Sequence, residues 1–172
     1  MHSEVLLDEN AIKACIERLA DALAPVMDDD WIVVCLLTGG LWFTADLTRA
    51  LSRRGCNPGF EALWLSSYGD DHESSGEVSL RAPLQRPVTG CRVLILDDVI
   101  DSGLSLAGAV EIVTEAGACE VRTCVFARKP WPRPRPLEPD HVGWEAPARY
   151  LVGYGLDDAG RLRGLPAVHA LD

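Results

Sequence analysis

Apolar residues at Ile12, Cys15, Ile16, Leu19, Leu23 and Val26 recur every three or four positions, the spacing that gathers them on one face of a helix. A helix is therefore predicted over residues 11–24, stopped by Pro25. The pattern then changes. WIVVCLL is apolar on both of its alternating faces, as in a strand of a parallel sheet covered on both sides by helices. After Gly39 and Gly40, LWFTADLTRALSRRG reads as a helix stopped at Gly55. EALWLSSY reads as a strand entering the polar, glycine-bounded GDDHESSG, and EVSLRAPL as a half-exposed strand. CRVLIL is the central strand, LSLAGAVEIVTEAG a helix closed by Gly117, and EVRTCVFA one more strand. Strands alternating with helices, with continuous aliphatic strands, predict right-handed crossovers and an α/β sheet. Beyond them, KPWPRPRPLEP holds five prolines between Pro130 and Pro139, which predicts an extended, stiff surface connection.

Composition narrows the partners. The chain has 172 residues, 48% of them apolar, a size at which one core serves one domain. With 26 acidic and 16 basic residues its net charge is -10, which argues against broad electrostatic affinity for nucleic acid or an anionic membrane. No segment approaches the roughly 20 apolar residues of a membrane helix, and MHSEVLLDEN lacks the form of a signal peptide, so a cytoplasmic location is expected. The six cysteines, at 15, 35, 56, 91, 119 and 124, form no C-x-x-C pair and read as reduced packing residues. His2, His72, His141 and His169 show no ligand spacing.

One stretch carries chemistry. VLILDDVIDSGLSL places Asp97, Asp98 and Asp101 within five positions, directly after four aliphatic residues. In a strand Asp97 and Asp98 would face opposite ways, so both reach one pocket only if the chain leaves the sheet there, at the strand-to-helix junction where open α/β sheets bind ligands. Clustered carboxylates raise one another's pKa unless compensated, and sugar hydroxyls or a divalent cation would compensate them. Ser102, Gly103, Leu104 and Ser105 supply amides and hydroxyls at a helix N-terminus, an anion site without a lysine. An acidic loop with a serine helix cap accounts for Ser102 or Ser105, but not for both aspartates before them.

Position by position, VLILDDVIDSGLSL resembles the phosphoribosyl-diphosphate motif of the type I phosphoribosyltransferases. HVGWEAPARYLVGYGLDDAGRLRGLP is similar to the segment with which the hypoxanthine-guanine phosphoribosyltransferases close their base pocket. LLTGGLWFTADLTR resembles their first loop and helix, and SSYGDDHESSGEV their lid, with Ser67 and Tyr68 in it. The resemblance runs from about Trp31 to the end of the chain. It implies a mainly parallel twisted sheet flanked by helices, as a single domain over 1–172 with its core at about 25–130 and a small hood built from 1–24 and 131–172.

The resemblance also implies roles. Asp97 and Asp98 hold the ribose hydroxyls, with the metal, Mg2+, nearby and bound by them directly or through water, and the loop from Asp101 to Ser105 holds the 5-phosphate. Asp101 faces N7 of a 6-oxopurine and takes or shares its proton as N9 attacks the anomeric carbon. Lys129 donates to the 6-oxo group, with Arg128 the alternative if the register slips by one. Tyr150 stacks on the base, the backbone of Leu151 meets its edge, Asp157 binds magnesium, and Arg163 with Thr38 and Gly39 binds pyrophosphate. One departure stands out: the family usually has Lys where this chain has Thr38, at a peptide that is commonly cis, so a cation is missing there.

The activity so implied is transfer of 5-phosphoribosyl to hypoxanthine or guanine, giving IMP or GMP in purine salvage. A homodimer or homotetramer is expected from the resemblance. Two alternatives stay open: a regulatory protein that keeps the site but binds nucleic acid, or a transferase for xanthine or another base.

Overall fold

A computed structural model describes residues 3–67 and 78–171. Tyr68 and residues 69–77 of the expected lid lie outside the described residues; Ser67 is the last residue of a strand. The chain begins with β1 (Ser3–Leu7), which the sequence reading did not foresee. Asp8 then caps α1 (Glu9–Leu23), its carboxylate accepting from the Ala11 amide at 2.8 Å. Ile12, Ile16, Leu19, Ala20 and Leu23 are the buried face of α1. Val26, expected on that face, lies past the helix end and is 47% exposed.

β2 (Trp31–Leu37), α2 (Gly40–Ser52), β3 (Gly59–Ser67), β4 (Val78–Ala82), β5 (Arg92–Ile100), α3 (Leu104–Glu115) and β6 (Glu120–Arg128) follow in the expected order. β7 (His141–Glu145), β8 (Tyr150–Val152) and β9 (Val168–Leu171) complete the chain. Six strands form one sheet in the order β4-β3-β2-β5-β6-β7, and β1-β9-β8 form a second, small antiparallel sheet. In the large sheet only the β3–β4 pair is antiparallel. α1 and α2 cover one face, packing on Val33, Leu94, Leu96 and Phe126. α3 covers the other, on Val34, Leu63, Val93, Ile95 and Val125.

The chain leaves β2 toward β3 on one side and β5 toward β6 on the other, so the strand order reverses between β2 and β5. Ligands of open α/β sheets bind at such a switch point, beyond the carboxyl ends of the strands. The expected hood is only partly a separate layer. Its small sheet draws on both ends of the chain, but α1 packs into the main core and β7 is the edge strand of the large sheet. Cys35, Cys56 and Cys124 are buried, and all six cysteines are free thiols.

Candidate active site

The acids do not sit in a turn after the strand, as expected, but on it: β5 runs to Ile100 and stays paired with β6 through Asp97, Val99 and Ile100. Both aspartates still reach the same place, because the alternation of faces slips by one across them. Leu94 and Leu96 pack toward α1 and α2, whereas beyond the acids Val99 takes that side and Ile100 the α3 side. Each carboxylate turns back on the chain, Asp97 Oδ1 accepting from the Asp98 amide at 2.9 Å and Asp98 Oδ1 from the Val99 amide at 2.8 Å. Pairing of β5 with β2 has ended at Leu96, so one edge of β5 is open at the acids.

The β2–α2 loop closes on that edge. Gly39 and Gly40 are buried, the Leu37–Thr38 peptide is cis, and Thr38 itself is exposed. A Cβ on Gly39 would lie 1.8 Å from Asp98 Oδ2, and one on Gly40 3.4 Å from the Asp97 Cα. Only glycine lets the loop backbone come so near the carboxylates. Burial pushes the pKa of Asp97 well above the ordinary carboxylate range, and the negative charge of Asp98 adds to it. Burial raises Asp98 as well, opposed by its hydrogen bond with Asp97 and by the guanidinium of Arg163. The pair is thus short of positive charge or hydrogen-bond donors, the deficit that hydroxyls or a cation would fill.

α3 starts at Leu104 behind Gly103, whose φ is 83°, with no side-chain cap. The helix start follows closely on Asp101 and Ser102, with the Leu104 amide 3.4 Å from Ser102 Oγ, and a helix N-terminus offers its first amides to an anion. Asp101 is half exposed, and Lys129 Nζ stands 3.9 Å from its Oδ1 at the end of β6. Arg128, the alternative, is turned away: its guanidinium grips the Glu145 carboxylate at 2.5 and 3.1 Å and reaches Glu138 at 3.4 Å.

A second group of expected residues comes from the small sheet and the loop after it. Tyr150 is 53% exposed, with its hydroxyl 3.2 Å from Asp158 Oδ1 and 3.3 Å from the Asp157 carbonyl. The side chain of Leu151 is buried, leaving its backbone as the part able to meet a ligand. Asp157 Oδ1 is 2.8 Å from Arg163 Nη2, and its Oδ2 accepts from the Gly160 amide at 2.6 Å. Arg163 donates to the Gly155 carbonyl, and a Cβ on Gly155 would lie 2.2 Å from the Gly39 carbonyl oxygen. Contacts therefore run from Tyr150 through Asp157, Arg163 and Gly155 to Gly39 and Asp98, while Asp101 and Lys129 form the other side.

Among the described residues no three Asp, Glu, His or Cys side chains converge on one point, as a protein-only metal cage would need. Magnesium is commonly held by one or two carboxylates and completed by water and substrate phosphates. Asp157 and the Asp97–Asp98 pair are donor sets of that kind.

Sequence reasoning missed two participants. Arg135, in the segment taken for a plain surface connection, has a side chain only 8% exposed and donates to the carbonyls of Asp101 and Lys129. Gly155, with φ 97°, lets the small sheet dock on the β2–α2 loop. The clustered glycines of VGYG were the available signal for Gly155; nothing distinguished Arg135 from its neighbour Arg133.

The phosphoribosyl transferase domain family matches residues 2–159. The hypoxanthine-guanine phosphoribosyltransferase of Bacillus subtilis is 34% identical over 169 residues, covering 98% of this chain and 92% of its own length. That of Dictyostelium discoideum is 30% identical over 96% of this chain and 93% of its own. Among solved structures, a hypoxanthine phosphoribosyltransferase from Staphylococcus aureus superposes with a TM-score of 0.89 at 27% identity, covering 98% of this chain and 91% of that one. One from Trypanosoma cruzi does so at 0.90 and 28%, with the same coverage. Fold, site and sequence together make this chain a type I phosphoribosyltransferase, a member of the hypoxanthine-guanine phosphoribosyltransferase family.

Proposed function

We propose that the protein transfers 5-phosphoribosyl from its diphosphate to N9 of a 6-oxopurine, hypoxanthine or guanine, with release of pyrophosphate. The observation that carries this reading is the pairing of Asp101 with Lys129 across one end of the site, 3.9 Å apart, beside the uncapped start of α3. The α3 amides and the Ser102 and Ser105 hydroxyls take the 5-phosphate, which sets the sugar over Asp97 and Asp98. Those carboxylates accept hydrogen bonds from the ribose hydroxyls and so lose the mutual repulsion they suffer unliganded.

The base presents its N7 and 6-oxo edge to Asp101 and Lys129 and lies under Tyr150, with the Leu151 backbone at its edge. Asp101 takes the N7 proton as N9 closes on the anomeric carbon, so positive charge does not build on the ring. Lys129 has only donors to offer. It accepts a 6-oxo group, whereas adenine's amino group would leave two donors opposed at a cost of about 1–3 kcal/mol. Arg163 and the backbone of Thr38 and Gly39 face the leaving pyrophosphate, and Arg163 offsets the charge that develops there. Magnesium, held by Asp157 and by Asp97 and Asp98 directly or through water, supplies further neutralisation of the diphosphate when bound. The protein is proposed to act in the cytoplasm, as a homodimer or homotetramer.

Ultraviolet difference absorbance with hypoxanthine, guanine, xanthine and adenine, each with phosphoribosyl diphosphate and magnesium, tests the reading. Turnover is expected with hypoxanthine or guanine and at least about tenfold less with adenine. Silence with every 6-oxo base would overturn it, and salt-sensitive nucleic-acid binding in its place would support the regulatory alternative.

A further inference from the structure

All three nitrogens of the Arg135 guanidinium are engaged. Nε donates to the Asp101 carbonyl at 2.6 Å, Nη2 to the Lys129 carbonyl at 2.5 Å, and Nη1 to Glu138 Oε1 at 2.9 Å. Glu138 is also approached by Arg128, so the carboxylate that orients the fork is itself held. The aliphatic stem of Arg135 runs beneath the phosphate loop: a Cβ on Gly103 would lie 3.4 Å from both Arg135 Cβ and Cδ. The two carbonyls belong to the two residues assigned to the purine's N7 and 6-oxo edges, which directly follow the ends of two different strands, β5 and β6.

We propose that Arg135 is a positioning residue for the base, setting the spacing between Asp101 and Lys129 without touching substrate; this rests on the roles given to those two residues above. The guanidinium is planar and its donors stand in a fixed relation, so two carbonyls bound to adjacent nitrogens are held at one separation. A lysine's single ammonium on a flexible stem does not reproduce that fork. β5 and β6 are otherwise tied here by the Lys129 amide donating to the Ile100 carbonyl at 3.1 Å, which fixes the strands but not the residue after them on β5. Selectivity for a 6-oxopurine requires acid and donor to address both edges of one ring together, and displacement of either by about 1 Å is enough to cost on the order of 100-fold in rate.

The test compares the wild-type chain with Arg135→Met and Arg135→Lys. Methionine keeps the stem under Gly103 and removes the fork. Both variants are expected to lower kcat/KM for hypoxanthine and guanine by about 10- to 100-fold and to narrow the preference for hypoxanthine over adenine. The KM for phosphoribosyl diphosphate should move by less than about threefold, because the phosphate is held by amides that α3 itself anchors. Glu138→Gln, at an exposed carboxylate, provides a variant that folds in any case and should show the same split more weakly. A role confined to stability would shift base and diphosphate parameters together and leave the base preference unchanged, and that result overturns the proposal. So does wild-type behaviour in both Arg135→Met and Glu138→Gln. A wild-type chain that turns over no 6-oxopurine overturns the proposal and the reading beneath it at once, whereas wild-type turnover with unchanged base preference in the variants sinks the proposal alone.

Discussion

Asp97 and Asp101 are four positions apart, and opposite consequences follow from removing each. Burial and Asp98 hold the pKa of Asp97 well up in the folded chain, so between the unfolded value and the folded one the native state binds more protons than the unfolded state. Stability then falls as pH rises through that window. In ligand-free, magnesium-free protein, Asp97→Asn should therefore raise Tm at pH 7 by a few degrees, about 2–4 °C per kcal/mol in a domain of this size, while weakening diphosphate binding. Thermal melts should show the gain shrinking as pH falls toward 4; a gain independent of pH would assign it to something other than the buried charge. Asp101 stands half exposed beside Lys129. Asp101→Asn should leave Tm nearly unchanged, keep the diphosphate KM within about threefold, and lower kcat by roughly 10²–10⁴ if it moves the N7 proton. Steady-state kinetics with equal losses in both parameters would place Asp101 in binding instead. The identities of these acids were plain in the sequence. The slip of faces that aims both Asp97 and Asp98 at one place was not, since strand alternation alone predicts that they diverge.

At the scale of elements, the aliphatic strands and the helices between them were legible because burial on both faces leaves unbroken apolar runs; β2 has the bounds of WIVVCLL itself. β1 was not legible: SEVLL is short and mixed, and its partner β9 lies at the far end of the chain, a pairing that local pattern does not encode. The β2–α2 loop carried a departure that could be read, Thr38 where a cation is expected. A guanidinium is brought toward that loop from another element: Arg163, held through the Gly155 carbonyl against Gly39. Thr38 is exposed, so a longer side chain fits outward there. Thr38→Lys should lower the KM for phosphoribosyl diphosphate by about tenfold, one charge-assisted hydrogen bond to the diphosphate being worth ~1.5–3 kcal/mol. The gain should fade in 0.5 M salt if it is electrostatic. An unchanged KM at low salt would mean that Arg163 and the loop amides already satisfy the diphosphate.

Across the whole molecule, half of the site is delivered by a small sheet that must stay docked on the large one. The docking is built from Tyr154, whose hydroxyl donates to Asp46 at 2.9 Å and whose ring centroid lies 4.8 Å from that of Phe126, and from Gly155 against Gly39. Sequence reading supplied Tyr150 and Leu151 on this sheet but not the joint, because a close backbone approach leaves no apolar pattern, only a glycine. Gly155→Ala should strain the joint twice: φ is 97°, where an L side chain costs roughly 1–2 kcal/mol, and its Cβ would meet the Gly39 carbonyl oxygen at 2.2 Å. Gly55 separates the two effects. Its φ is 80° and nothing lies within 4 Å of a Cβ there, so Gly55→Ala carries the conformational strain without the collision. Both variants should lose stability in thermal melts, but Gly155→Ala should lose more, and it alone should raise the KM for phosphoribosyl diphosphate, because the only ways to relieve the collision are to push the small sheet out or to push Gly39 toward Asp98. Equal KM values in the two variants would mean that the joint yields without disturbing the loop, and that the small sheet and the diphosphate site are mechanically independent.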